Sequence, residues 1–200
     1  MDLMVELQRR AEQLEALGIP SLGKDQMQAL AASLASLEPE MLEGMNLTAM
    51  LVTQAGHGSY DFETGEWTPN SRTVYAFDVE CFDVERMYTL FFEGVNAIAG
   101  PVFTQVAEDN SLVNWDEGSG VKDLSFLCHG HPYQHGVLVE HDWFDLGVVG
   151  CVNRALEQEG DPNRLCMMGD GYQECILFWN TPEWAERFSR ETGCRLVCPQ

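Results

Sequence analysis

The sequence predicts an α+β fold, with a mixed or mainly antiparallel sheet that carries helices on one face and follows an N-terminal helical segment. Apolar residues recur at helical spacing through residues 1–54, whereas apolar and polar residues alternate in several short runs after residue 70. The predicted order after residue 70 is β-α-β-β-β-α-β-β-α-β, which does not alternate strictly. A doubly wound parallel sheet is therefore disfavoured, and paired strands with helices gathered on one face fit better.

Residues 1–54 predict three helices. The first ends at Gly18 and Pro20, the second stops before Pro39, and Pro39 suits the first turn of the third. One face of each helix is apolar: Leu3, Leu7, Leu14 and Leu17, then Met27, Leu30, Leu34 and Leu37, then Leu42 and Met45. Such a stripe most often docks on the rest of the protein, so we expect a cap, with a partner-binding arm as the alternative.

A loop-rich connection is predicted over residues 55–70, which read AGHGSYDFETGEWTPN and include a possible short hairpin. Residues 71–200 then predict an α+β domain that forms one compact unit with the helical segment. This domain begins with a strand over 74–82. Asp83 is predicted to cap the helix that follows, with Phe82 and Met87 packed across the cap as a hydrophobic staple.

The remainder of the α+β domain predicts six strands and two helices. In chain order these are strands over 102–107, 124–128 and 136–140, a helix capped by Asp142, a hairpin of 164–168 with 172–180, a helix opened by Thr181 and Pro182, and a short strand over 194–197. The strands 124–128 and 136–140 are predicted to be joined by a histidine-rich loop over 129–135.

Charge is the property in which this composition departs most from the average. Eleven Lys and Arg residues stand against 32 Asp and Glu residues, a formal net charge of −21. Residues 1–60 carry 3 basic and 8 acidic groups, and the remainder carries 8 and 24, so the acidity belongs mainly to the α+β domain. Such a chain repels phosphate backbones and anionic lipids, which argues against nucleic-acid and membrane-surface partners. The acidity serves solubility or a basic protein partner.

The seven cysteines indicate a reducing compartment. Their number is odd, most lie within apolar runs, and no signal-peptide pattern precedes them. We therefore expect reduced, buried cysteines in a cytoplasmic protein. No cofactor is predicted, because the sequence contains no P-loop, dinucleotide fingerprint, CxxC pair or HExxH helix.

One enzymatic hypothesis centres on the predicted histidine-rich loop. Cys128 would be the nucleophile, one of His131, His135 or His141 the base, and Glu140 or Asp142 the orienting acid of a hydrolase. A position at the end of a strand in an acidic protein favours the neutral thiol of Cys128, which weakens this hypothesis. The same stretch offers His129, His131 and His135 as metal ligands, although their spacing matches no metal signature.

The favoured hypothesis is a non-enzymatic, acidic protein-binding module, of which an inhibitor or immunity-type protein against a basic partner is one form. Trp67, Trp115 and Trp143 lie in or next to polar, acidic segments, and tryptophan is a frequent interface anchor. The predicted binding residues are Asp78, Glu80, Trp115, Asp116, Glu117, Trp143 and Asp145. Asp78 and Glu80 share one face of the predicted strand, where a divalent cation is the alternative ligand.

Overall fold

The computed structural model describes residues 2–200 and shows an α+β fold with antiparallel sheets, as predicted. Its helices are α1 (Leu3–Ala16), α2 (Lys24–Ala35), α3 (Pro39–Gly44), α4 (Leu47–Gly56), α5 (Met87–Ala99), α6 (Gly147–Gln158) and α7 (Pro182–Thr192). Its strands are β1 (Ser59–Asp61), β2 (Glu66–Thr68), β3 (Val74–Asp78), β4 (Phe103–Asn114), β5 (Ser119–Cys128), β6 (His131–Glu140), β7 (Arg164–Gly169) and β8 (Glu174–Asn180). Among the described helices, none is long and apolar enough to cross a bilayer.

The N-terminal helices begin at side-chain caps. Asp2 accepts hydrogen bonds from the first turn of α1, and Asn46 accepts them from the backbone N–H groups of Thr48 and Ala49 in α4. Helix α4 was not predicted, although an asparagine before an apolar run is a usual helix start. Arg10 of α1 donates to Thr48 Oγ1 at 3.1 Å and so ties the first helix to the fourth.

A three-stranded antiparallel sheet of order β3-β8-β7 forms the centre of the molecule. One face packs on the N-terminal helices and α7, through residues such as Ala76, Ile176 and Phe188. The other face packs on α5, α6 and the second sheet, through residues such as Tyr75 and Leu177. Helices therefore lie on both sides of this sheet. Because both faces are covered, consecutive strand residues such as Val74, Tyr75 and Ala76 are all buried.

The second three-stranded sheet, β4-β5-β6, is built from two successive hairpins. The predicted loop over 129–135 is wrong: only His129 and Gly130 form the turn, and β6 starts at His131. Pro132 made this stretch resemble a loop, but β6 is an edge strand, where a residue without an N–H is tolerated. His131 and His135 therefore hold fixed positions on a strand, whereas His129 lies in the turn.

Two predicted helix caps are also wrong. Helix α5 begins at Met87, and Asp83 instead accepts from the Arg86 N–H at 3.2 Å within the preceding turn. Phe82 is largely exposed, so it forms no staple with Met87. Helix α6 begins at Gly147 rather than near Asp142, because the chain first forms a turn there.

Candidate functional site

The structure brings together the segments that carry the predicted binding residues. Cys81 N donates to Asp142 O at 2.7 Å, and Phe144 N donates to Val79 O at 2.7 Å. His141 N donates to Gly118 O at 2.7 Å, which attaches the β4–β5 turn to the same stretch. Three stretches distant in sequence therefore adjoin one another. They carry Asp78 and Glu80, then Trp115, Asp116 and Glu117, then Trp143 and Asp145.

Several of the predicted binding residues are held by contacts with neighbouring side chains or backbone. Trp115 and Trp143 are 42% and 43% exposed, and Trp115 covers the Lys122 ammonium, with Nζ 5.5 Å from the ring centroid. Glu80 accepts a hydrogen bond from Gln173 Nε2 at 2.7 Å, which fixes its carboxylate. Asp145 accepts from Gly147 N at 2.8 Å, so part of this carboxylate serves the turn before α6.

A cavity of about 190 Å³ opens where β3 ends. Five aromatic residues line it, namely Tyr60, Trp67, Tyr75, Phe77 and Phe82. Three carboxylates, those of Asp78, Glu80 and Asp83, also line it. Two of the predicted binding residues, Asp78 and Glu80, thus belong to an aromatic cavity that was not predicted.

The rings are positioned by the strands around the cavity. Tyr75 and Phe77 alternate on one face of β3 and stack with their centroids 5.2 Å apart. Trp67 of β2 meets Tyr75 edge to face at 5.4 Å. Gly58 permits this approach, because a Cβ there would lie only 2.2 Å from the Trp67 ring. The β1–β2 hairpin therefore closes the cavity by laying Trp67 against β3.

An exposed aromatic cluster stands beside the cavity. Tyr60 meets Phe62 at 5.1 Å and Phe82 at 4.6 Å between ring centroids. Phe62 is 81% exposed and Phe82 64% exposed, both more than either predicted tryptophan anchor. Asp83 and Glu85 line the shallow depression next to these rings. An apolar patch rimmed by carboxylates is typical of an interaction surface.

His57 forms the basic edge of the cavity. Its Nε2 lies 2.9 Å from Glu174 Oε2, and contact with this carboxylate raises the pKa of His57 above its ordinary value, against the opposing effect of desolvation. The charges of Asp78 and Asp170 add to the increase in pKa. Glu174 lies directly opposite Asp78 in the β3–β8 register, so His57 also offsets the repulsion between two acidic neighbours.

No protein-family model, curated protein or solved structure matches the chain.

The hydrolase residues are not brought into one site. Cys128 and His131 are cross-strand neighbours in the β5–β6 register, but Glu140 ends the ten-residue strand that His131 begins, roughly 30 Å away at about 3.3 Å per residue. Burial, with the charges of Glu159 and Asp161, raises the pKa of Cys128 to about 12. The thiol is therefore neutral and unsuited to nucleophilic attack.

The three histidines proposed as metal ligands are also separated. His131 Nδ1 lies 2.6 Å from Glu159 Oε2, and His129 Nε2 lies 2.9 Å from Asp161 Oδ2. His135 sits further along β6, opposite Leu124. Within residues 2–200, no three or more His, Cys, Asp or Glu side chains are arranged to hold a metal ion. His129 and His131 instead attach the β5–β6 turn to the residues that follow α6.

Proposed function

We propose that the protein is a non-enzymatic binding module that receives a basic partner protein on its acidic, aromatic end. An inhibitor or immunity-type protein against a basic target is one concrete form of this role, and the cytoplasm is the proposed location. The observation that carries the proposal is the aromatic cavity with Asp78, Glu80 and Asp83 in its lining.

The size of the cavity favours a single side chain as its occupant. Small-molecule sites in proteins usually enclose about 300–1,000 Å³, whereas this cavity has about 190 Å³. A lysine or arginine side chain of a partner is a narrow stem with a charged end, and a stem of this kind packs well against apolar surface. The cavity is therefore suited to one projecting side chain of a protein.

The chemistry of the cavity favours a positive charge on that side chain. Aromatic faces attract a cation within about 6 Å of the ring centroid, and the three carboxylates of the lining add a direct attraction. His57 is the one basic side chain among the described residues of the lining, and it is already paired with Glu174. A partner's lysine or arginine would supply the missing positive charge.

The surroundings of the cavity suit a protein surface. Phe62 and Phe82 project beside the opening and provide apolar area that binding would bury. The net charge of −21 favours rapid encounter with a basic protein and disfavours anionic partners such as nucleic acids. We therefore expect association that is fast at low salt and slows as salt screens the charges.

The test is capture of proteins from native lysate on the immobilised full chain, at low and at high salt, with identification by mass spectrometry. A triple variant, Asp78→Asn, Glu80→Gln and Asp83→Asn, removes three charges and keeps side chains of nearly the same shape. The matched control removes three exposed charges from the helical segment, through Glu12→Gln, Glu38→Gln and Glu43→Gln.

The proposal predicts a basic protein that the wild type and the control retain at low salt and release at high salt. The triple variant should bind it at least about tenfold more weakly, in keeping with the loss of close charge pairs at an interface. Equal capture by the triple variant and the wild type would contradict the proposal. So would the absence of any basic protein among those captured at low salt.

A further inference from the structure

Cys166 of β7 and Cys198 near the C-terminus lie directly opposite each other. Met167 and Val197 form an antiparallel bridge and exchange both backbone hydrogen bonds, at 2.6 and 3.0 Å. In antiparallel pairing the residue before one partner faces the residue after the other, which places Cys166 across from Cys198. This neighbouring position is a non-hydrogen-bonded pair, with Cα atoms typically about 4.5 Å apart, within the range of about 4.4–6.8 Å that a disulfide requires.

The side chains follow the backbone register. The two Sγ atoms are in contact at 2.6 Å. Within residues 2–200, which include all seven cysteines, no other pair of sulfur atoms forms such a contact, and all seven are free thiols. The two thiols are therefore close because the fold pairs these two positions, and not because the protein has many cysteines.

A buried asparagine of α6 fixes both sides of the pair. Asn153 Nδ2 donates to Leu165 O at 3.0 Å and to Pro199 O at 2.8 Å, and Leu165 N donates to Asn153 Oδ1 at 2.7 Å. Leu165 precedes Cys166 and Pro199 follows Cys198 in sequence. One side chain thus holds the residues next to both cysteines, which keeps the C-terminal segment on the edge of β7.

The two thiols differ in a way that suits an ordered reaction. Cys166 is fully buried, whereas Cys198 is partly exposed and is the one that a solute can reach. The hydrogen bond between them lowers the pKa of Cys198 and, together with burial, raises the pKa of Cys166. A thiolate is the reactive form of cysteine, so Cys198 is the first nucleophile.

We propose that Cys166 and Cys198 are a reversible redox modification site, converted to a disulfide by low-molecular-weight disulfides such as glutathione disulfide. The Cys198 thiolate attacks one glutathione sulfur, which forms a mixed disulfide and releases one glutathione thiolate. The Cys166 thiol then gives its proton to the released glutathione thiolate, and its sulfur attacks Cys198 Sγ and releases the second glutathione. The two protein thiols lose two electrons and two protons, and glutathione disulfide becomes two molecules of glutathione.

The disulfide would change how firmly the C-terminal segment is held. In the reduced protein the segment covers the edge of β7 through the Met167–Val197 bridge and the Asn153 hydrogen bond to Pro199. A covalent link between Cys166 and Cys198 would close a loop over 167–197 that contains β8 and α7. Oxidation is therefore expected to raise the melting temperature, by about 10 °C from the loop length and the size of the chain.

The experiment equilibrates the full chain in a series of glutathione to glutathione disulfide ratios. Acid quenching and alkylation of the denatured chain then count the remaining thiols by intact mass. We expect the count to fall from seven to five and to return to seven after dithiothreitol. After cleavage at arginine, peptide mapping should detect the C-terminal peptide 196–200 linked by a disulfide to peptide 165–187. Fragmentation of peptide 165–187 then distinguishes Cys166 from Cys175.

The variants give the assignment a second readout. Cys198→Ser should keep all of its remaining thiols at every ratio, whereas the control Cys151→Ser should still lose two. Seven alkylated thiols in the wild type at the most oxidising ratio would overturn the proposal. A disulfide that survives in Cys198→Ser, or a glutathione adduct that never proceeds to the internal disulfide, would overturn it as well.

Discussion

Lys122 Nζ lies 3.0 Å from Glu108 Oε2, and neither side chain reaches solvent, with 0% and 3% of their areas exposed. The ammonium also donates to Val84 O, and Glu108 Oε1 accepts from Thr89 N at 2.7 Å. The pair therefore joins β4 and β5 to the start of α5. Every charge in it has hydrogen-bond partners, which is the condition under which a buried ion pair is tolerated.

Removal of one partner of this pair should be costly. Lys122→Met leaves the Glu108 carboxylate buried without its counter-charge, and we expect a loss of about 3–5 kcal/mol in the free energy of unfolding. Urea denaturation followed by circular dichroism measures it. The double variant Lys122→Met with Glu108→Gln removes both charges and keeps an acceptor for Thr89 N. It should recover much of the loss, and a single variant that costs under about 1 kcal/mol would contradict this account.

Gly94→Ala should destabilise the protein although alanine is the better helix former. Gly94 lies inside α5, and a Cβ there would be 2.2 Å from the buried ring of Tyr75. The gain in helix propensity is about 1 kcal/mol, whereas overpacking costs about 1–3 kcal/mol. The control is Gly44→Ala at the end of α3, where nothing lies within 4 Å of the added Cβ. Thermal melts should show a lower midpoint for Gly94→Ala and an unchanged or higher one for the control.

Much of the fold could be predicted because its signals are local. Thr181 and Pro182 begin α7, and Thr181 Oγ1 accepts from Trp184 N at 3.3 Å, as an N-cap does. The β7–β8 hairpin turns after Gly169, as predicted from its glycines. Asp83 failed as a helix cap because a capping residue and a turn residue use the same local hydrogen bond, and sequence does not separate them.

The candidate site was predictable only in part. Asp78 and Glu80 were identified because acidic residues interrupt an apolar strand pattern. The aromatic wall was missed because Trp67 comes from a stretch that reads as a loop, and its contact with Tyr75 depends on how a separate hairpin folds back. The alternation of Tyr60 and Phe62 in that stretch was a signal of an aromatic face. Only the tertiary structure places Tyr60 and Phe62 beside Phe82.

The stability contributed by His57 should depend on pH. Its pKa is raised in the folded protein by Glu174, and then by Asp78 and Asp170. Because the folded pKa is raised, protonated His57 stabilises the fold. This stabilisation is complete below the unfolded pKa of about 6.5 and is lost as pH rises through the folded pKa. Unfolding of the wild type and His57→Gln in urea, at several pH values above about 5, measures the difference.

We expect His57→Gln to be less stable than the wild type by about 0.5–1 kcal/mol at the acidic end, since the pair is partly screened by solvent. The difference should shrink toward alkaline pH. Glu174→Gln removes the principal cause of the raised pKa and should abolish most of the same pH dependence. A difference that grows with pH would show that the protonated imidazole is not the stabilising form.

Phe62→Ala should weaken partner binding without loss of stability. The side chain is 81% exposed, and surface substitutions of this kind usually change the free energy of unfolding by under about 0.5 kcal/mol. Truncation of an aromatic anchor at an interface costs about 2 kcal/mol or more, which is over tenfold in affinity. Val5→Ala, at an exposed apolar residue of α1, is the control and should bind as the wild type does. Equal retention of partner by Phe62→Ala and Val5→Ala would exclude Phe62 from the interface.

Asn153→Leu should both destabilise the protein and free its C-terminal segment. Leucine has the same number and branching of side-chain heavy atoms as asparagine but leaves Leu165 N, Leu165 O and Pro199 O without their present partner. Buried groups left unpaired cost about 1–3 kcal/mol each, so a total loss of roughly 3 kcal/mol is expected after local relaxation. Hydrogen exchange should also rise at Val197 N, whose hydrogen bond to Met167 O holds the segment on β7. If exchange at Val197 stayed at the wild-type rate, the bridge and not Asn153 would be what holds the C-terminal segment in place.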